Sequence, residues 1–116
     1  MIANFLFLNG VAYEYERPYD HEIPAELDDE GRRAYQPDFY LVDYDIWLEH
    51  FGVDQHGRVP WMKTPVEEQA YIDGMTWKRK VHAACGTRLI ESYSWWNEDQ
   101  DLLNKLEALL RSNGVA

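Results

Sequence analysis

Two acidic residues lie inside apolar, β-forming segments of this 116-residue sequence. Asp38 directly precedes the apolar residues 39–42, and Glu49 lies within the largely apolar run 46–51. A buried carboxylate is costly unless it is paired, hydrogen-bonded or bound to a metal ion. Two such acids on neighbouring strands can share one hard divalent cation, Mg²⁺ or Mn²⁺. The pattern therefore predicts a metal site formed by Asp38 and Glu49.

A purely structural explanation of the same two acids stays open. Asp38 would cap a turn, and Glu49 would face solvent from one side of an antiparallel strand pair, where apolar and acidic residues often alternate. The two interpretations differ in one observable, which is whether the carboxylates converge or lie on opposite faces.

A basic cluster follows later in the chain. Lys78, Arg79, Lys80 and Arg88 occupy a stretch with no acidic residue between them, and such a cluster could contact a DNA backbone. His82 comes four residues after Lys78, so both lie on one side of a helix and could approach a phosphate together. The alternative is that this face packs against the sheet and Lys78 extends to water. We predict these five residues as DNA contacts.

Two further histidines are weaker candidates for general acid or base chemistry. His50 adjoins Glu49, but successive strand residues point to opposite faces, so we expect His50 to pack or lie at the surface rather than share a site with Glu49. His56 lies in a loop that could fold over the site, although a single loop histidine is usually solvated.

The elements that must position these residues follow from apolar spacing and capping signals. Thr64 as N-cap, Pro65 and Glu67 predict a helix from 65 to about 85, and Gly86 is its stop. Period-2 patterns and apolar stripes predict the remaining elements: a short helix at 2–9, strands at 11–15, 35–42, 46–51 and 87–93, and a last helix from about 97. The order α-β-β-β-α-β-α predicts one α/β domain over 1–116, with a mixed sheet flanked by helices and loops at 19–34 and 52–63.

Composition narrows the function classes. The net charge of -10 disfavours free-standing nucleic-acid binding over most of the surface, although one basic face can persist. A single cysteine excludes an internal disulfide and a thiolate zinc cluster. The absence of a long apolar run and of a basic leader predicts a cytoplasmic protein with no membrane partner. No phosphate-binding loop is present, so the chain is not an ATP-driven motor by itself.

Several segments together resemble a known family. They are 5–11, 13–16, 36–40, 49–52, 75–82 and 86–91. They look like the nuclease-like segment of bacterial superfamily 1 DNA helicases of the UvrD/Rep and helicase IV type, within the PD-(D/E)XK, or restriction-endonuclease-like, superfamily. The resemblance implies an αβββαβ core in which Asp38 and Glu49 hold a divalent metal that activates water against a phosphodiester. It also implies that the chain is a piece of a larger helicase polypeptide.

The chain departs from the family pattern at one catalytic position. A lysine usually follows the second acid by two residues, whereas Phe51 stands there. The resemblance implies that Lys78, on the following helix, restores that charge and stabilises the developing phosphorane. The other family acid commonly lies on the first helix, and no acid precedes Glu14.

Two functions are therefore predicted. The first is a nuclease-like DNA-processing domain of a helicase, capable of Mg²⁺-dependent phosphodiester hydrolysis, with Asp38, Glu49 and Lys78 as catalytic residues. The second is a catalytically inactive DNA-binding or scaffold module that keeps the nuclease fold.

Overall fold

The computed structural model describes residues 1–27, 35–98 and 101–115. The predicted acidic loop at 19–34 lies partly outside these ranges. Seven regular elements follow the predicted order: α1 (Ile2–Leu8), β1 (Tyr13–Tyr15), β2 (Phe39–Leu41), β3 (Ile46–Phe51), α2 (Pro65–Cys85), β4 (Arg88–Tyr93) and α3 (Leu102–Ser112). Short 3₁₀ turns occupy Ala25–Leu27 and Ser94–Asn97.

The four strands form one mixed sheet in the order β1-β2-β3-β4. β2 is antiparallel to both β1 and β3, and β4 runs parallel to β3. Parallel neighbours need a crossover connection, and α2 provides it. The predicted α/β class with a mixed sheet is confirmed.

The ends of α2 follow from local chemistry. The side chain of Thr64 accepts the Glu67 N–H at 3.1 Å, and Pro65 is the first helical residue. Gly86 ends the helix in the left-handed conformation, with φ of 70°. The predicted bounds of this helix are confirmed because both caps depend only on neighbouring residues.

Successive side chains of β3 point to opposite faces of the sheet. Ile46 and Leu48 pack into the core formed with α1 and α3, to which Leu6 and Leu106 contribute fully buried side chains. The side chains of alternate residues face the other side of the sheet, where α2 lies. Glu49 shares that side, which brings it towards α2.

Candidate functional site

The two predicted acids meet where the β2–β3 ladder ends. Phe39 pairs with Leu48, so Asp38 occupies the next position, opposite Glu49. The main-chain N–H of Asp38 donates to Glu49 Oε1 at 2.7 Å, and the N–H of His50 donates to Asp38 Oδ2 at 2.7 Å. Each acid thus accepts a backbone N–H from the opposite strand. This exchange holds both carboxyl groups at one end of the strand pair.

Glu49 is buried, with 1% of its surface exposed. Its Oε2 lies 3.0 Å from Lys78 Nζ and accepts the Tyr35 hydroxyl at 3.3 Å. Burial raises the pKa of the Glu49 carboxyl, and the Lys78 ammonium opposes that rise. The alternative in which Glu49 faces solvent is wrong, because the strand alternation directs this side chain under α2.

Lys78 reaches Glu49 from the middle of α2 while 34% of its side chain stays exposed. Its ammonium lies 5.6 Å from the centroid of the Phe51 ring. A positive charge from α2 therefore lies next to the Phe51 ring on β3. Lys78 spans the distance between the buried carboxylate and solvent.

His82 lies at the end of the same helix face, but it is only 2% exposed. Its Nε2 is 3.0 Å from the Tyr35 hydroxyl, and its Nδ1 is 2.7 Å from Thr87 Oγ1. Burial lowers the pKa of His82 to about 4, so the ring is neutral at neutral pH. The prediction of a phosphate contact is corrected here, because the helix face packs against the sheet and encloses the imidazole.

Two of the other predicted basic contacts, Arg79 and Arg88, bond groups within the chain. Arg79 makes two hydrogen bonds to Glu91, at 2.8 and 2.7 Å. Arg88 donates to the Asn113 carbonyl at 2.9 Å, and Lys80 is exposed on α2. Because Lys78 and Arg79 are each paired with an acid of this chain, the predicted DNA-binding cluster carries less net positive charge than its sequence indicates.

His50 points to the opposite side of the sheet from Glu49, as predicted, and its Nδ1 lies 2.8 Å from Ser92 Oγ. Burial lowers the pKa of His50, and Asp38 opposes that effect. A cleft of about 590 Å³ is lined by both His50 and Asp38, together with residues of α1 and the turn after β4. The sequence did not indicate that His50 and Asp38 line one cleft, because they are brought together by the hydrogen bond from the His50 N–H to Asp38 on the neighbouring chain segment. His56 is exposed in its loop.

Tyr35 is the site residue that sequence reasoning did not identify. It is buried, and its hydroxyl bridges Glu49 and His82. Its ring packs edge-on against Trp77 at a centroid distance of 5.4 Å. The only signal in the sequence is its position three residues before Asp38, which does not indicate a partner on α2.

The donor set for a cation consists of Asp38 and Glu49. Within residues 1–27, 35–98 and 101–115, no group of three His, Cys, Asp or Glu side chains is arranged to hold a metal ion. A cation bound by this pair would take its other ligands from water or from substrate, as Mg²⁺ commonly does.

Comparison with models of protein families, with curated proteins and with solved structures finds no match to this chain. Among the described helices, none is both long and apolar enough to cross a membrane.

Proposed function

We propose that this chain is a nuclease-like DNA-processing domain of the PD-(D/E)XK type, which hydrolyses phosphodiesters with a divalent cation and works beside a superfamily 1 DNA helicase. The observation that supports the proposal is that Asp38 lies opposite Glu49 at the end of the β2–β3 ladder, where Lys78 pairs with Glu49. The α-β-β-β-α-β order and the mixed sheet are compatible with the αβββαβ core of that superfamily.

The residues proposed as ligands fit Mg²⁺ or Mn²⁺ in type. Both predicted ligands are carboxylates, which these hard cations prefer. Asp38 borders the open cleft, so a cation held there would be reachable by substrate.

Each residue then has a defined task. Asp38 and Glu49 would hold the cation, which when bound would lower the pKa of a water molecule and so supply the nucleophile. Lys78, whose ammonium lies 3.0 Å from Glu49 and whose side chain is 34% exposed, would stabilise the charge that develops on the phosphate. The backbone N–H groups of Asp38 and His50 keep the two carboxylates oriented.

A second candidate function is a DNA-binding or scaffold module without catalysis. It is favoured by the saturation of Glu49, whose two oxygens already accept from Asp38, Lys78 and Tyr35. In that case Lys78 is a permanent counter-charge, and DNA would contact the exposed residues Lys80 and Arg88.

Calorimetric titration with MnCl₂ and MgCl₂, together with cleavage of single- and double-stranded DNA, tests the proposal. We expect wild type to bind Mn²⁺ and to cleave DNA only when the cation is present. Asp38→Asn should lose both properties while keeping its circular dichroism spectrum. The matched control is Asp43→Asn, which makes the same change at an exposed position of the same hairpin.

The outcomes separate the two candidates. If wild type gives no divalent-ion heat and no cleavage, but binds DNA with an affinity that falls with salt and with Lys80→Ala, the scaffold function replaces the nuclease. If neither cation nor DNA binds, both proposals are wrong.

A further inference from the structure

A continuous chain of hydrogen-bonded side chains crosses the interior from the C-terminal end of α2 to Glu49. The Tyr19 hydroxyl lies 2.7 Å from Thr87 Oγ1, and Thr87 Oγ1 lies 2.7 Å from His82 Nδ1. His82 Nε2 then lies 3.0 Å from the Tyr35 hydroxyl, which lies 3.3 Å from Glu49 Oε2. Three of the four contacts join residues that are 14, 47 and 68 positions apart in the sequence.

Counting donors and acceptors gives this chain one direction. An ionised Glu49 only accepts, so the single proton of Tyr35 points to it and the Tyr35 oxygen must accept from His82. A neutral imidazole has one N–H, which is therefore on Nε2, and its Nδ1 accepts from Thr87. The Thr87 oxygen then accepts from Tyr19. The hydroxyls of Thr87 and Tyr35 each donate and accept, the Tyr19 hydroxyl donates, and each donor points towards the carboxylate.

Aromatic rings enclose the middle of the chain. The rings of Tyr19, Tyr35 and Trp47 lie with centroids 4.9, 5.7 and 6.2 Å from the His82 ring. This enclosure keeps the imidazole away from water, and burial raises the pKa of Tyr35 as it lowers that of His82. Neutral forms of both groups are the ones that the donor count requires.

We propose that Tyr35 and His82 are positioning residues for Glu49, with His82 present as the Nε2–H tautomer that directs the Tyr35 hydroxyl onto Oε2. The effect of this positioning on metal affinity rests on the proposed function, in which Glu49 is a metal ligand. The carboxylate is held from three sides, by the Asp38 N–H, Lys78 and Tyr35. Hydrogen bonds of this kind orient metal ligands, and their loss typically weakens metal affinity by about 10- to 100-fold.

The tautomer is measured first, on wild-type protein without metal. A long-range ¹H–¹⁵N correlation spectrum at pH 7 distinguishes Nε2–H from Nδ1–H and from the imidazolium. We expect the resonances of His82 to show a protonated Nε2 and an unprotonated Nδ1. Either of the other two states would overturn the inference, because the Tyr35 hydroxyl would then lose its defined donor. This measurement does not depend on the proposed function.

The second measurement is the Mn²⁺ affinity of Tyr35→Phe, which removes only the hydroxyl. We expect its Kd to rise by about 10- to 100-fold with an unchanged circular dichroism spectrum. Tyr40→Phe is the control, since its hydroxyl bonds Asp45 on the surface and does not contact Glu49. An unchanged Kd for Tyr35→Phe would refute the positioning role while leaving the nuclease proposal standing. If wild type itself binds no Mn²⁺, the proposed function fails, and the tautomer spectrum decides whether the chain is directed at Glu49.

Discussion

Replacement of Lys78 by methionine tests the electrostatics of the site through stability alone. Methionine keeps an unbranched apolar stem beside Phe51 and removes the ammonium that lies 3.0 Å from Glu49 Oε2. Glu49, 1% exposed, would then be a buried carboxylate whose remaining donors are the Asp38 N–H and the Tyr35 hydroxyl. We expect Lys78→Met to destabilise the fold, and to do so more strongly at high pH.

The size of the effect lies between two known limits. Removing one partner of a fully buried ion pair costs about 3–5 kcal/mol, whereas an exposed pair contributes about 0–1 kcal/mol. Because 34% of the Lys78 side chain is exposed, solvent screens part of the attraction, and we expect a loss of about 2 kcal/mol at pH 8. For a domain of this size that corresponds to a Tm lower by about 8 °C.

The sign of the pH dependence follows from linkage. Loss of the ammonium raises the pKa of Glu49 in the folded state further above its unfolded value, so the folded variant binds a proton that the unfolded chain releases. The variant therefore loses stability as pH rises, and the deficit at pH 5 should be smaller than at pH 8.

Urea unfolding followed by tryptophan fluorescence at the two pH values measures this difference. Lys78→Met/Glu49→Gln should recover most of the stability, because the uncompensated charge is gone. Lys80→Met is the control on the same helix, where an exposed replacement should change the free energy of unfolding by less than about 0.5 kcal/mol. An equal loss at both pH values, or no recovery in the double variant, would show that Lys78 contributes by packing rather than by charge.

Three further predictions concern the elements around the site. The pKa of His82 is about 4 in the folded protein and 6.5 in the free side chain, so the unfolded chain takes up a proton first on acidification. The free energy of unfolding should therefore fall by up to about 3 kcal/mol between pH 6.5 and 4. Urea midpoints across this range should fall less in His82→Gln. Thr64→Ala should cost about 1 kcal/mol by removing the N-cap of α2, whereas Thr76→Ala in the middle of that helix should not lower the Tm. Gly86→Ala should destabilise the fold by about 1 kcal/mol, because Gly86 has a φ of 70°. Gly74→Ala should stabilise the fold by up to about 1 kcal/mol, because a Cβ added there meets nothing within 4 Å and alanine favours a helix. Thermal melts in which the two alanine variants shift in the same direction would contradict the assignment of Gly86 to the left-handed cap.

Local signals predicted α2 closely and the shorter strands less well. The capping chemistry of Thr64 and Gly86 involves only adjacent residues, and the helix begins and ends where those residues predict. The strand expected at 35–42 is limited to Phe39–Leu41. Pro37 cannot donate to a ladder, and Asp38 donates to a side chain instead of a main-chain carbonyl. Apolar composition alone does not predict that Pro37 and Asp38 are left out of the strand.

The position of the basic residues shows the same limit. Helical spacing correctly placed Lys78 and His82 on one face of α2, but it did not indicate what that face contacts. In the fold it meets the buried side of β3, so one side chain pairs with Glu49 and the other is enclosed by aromatic rings. Arg79, one residue further along the helix, instead reaches Glu91 on β4.

By itself the sequence determines which segments become helices and strands, and that one acid lies on a strand and the other next to the neighbouring strand, because capping and side-chain alternation act over a few residues. The partners of those acids come from longer range. Glu49 gains its contacts with Lys78 and Tyr35 only once α2 packs across the sheet. Asp38 accepts the His50 main-chain N–H only because the β2–β3 ladder ends beside it. Whether a carboxylate is buried, paired or open to a cleft depends on packing between elements, and no local pattern records that packing.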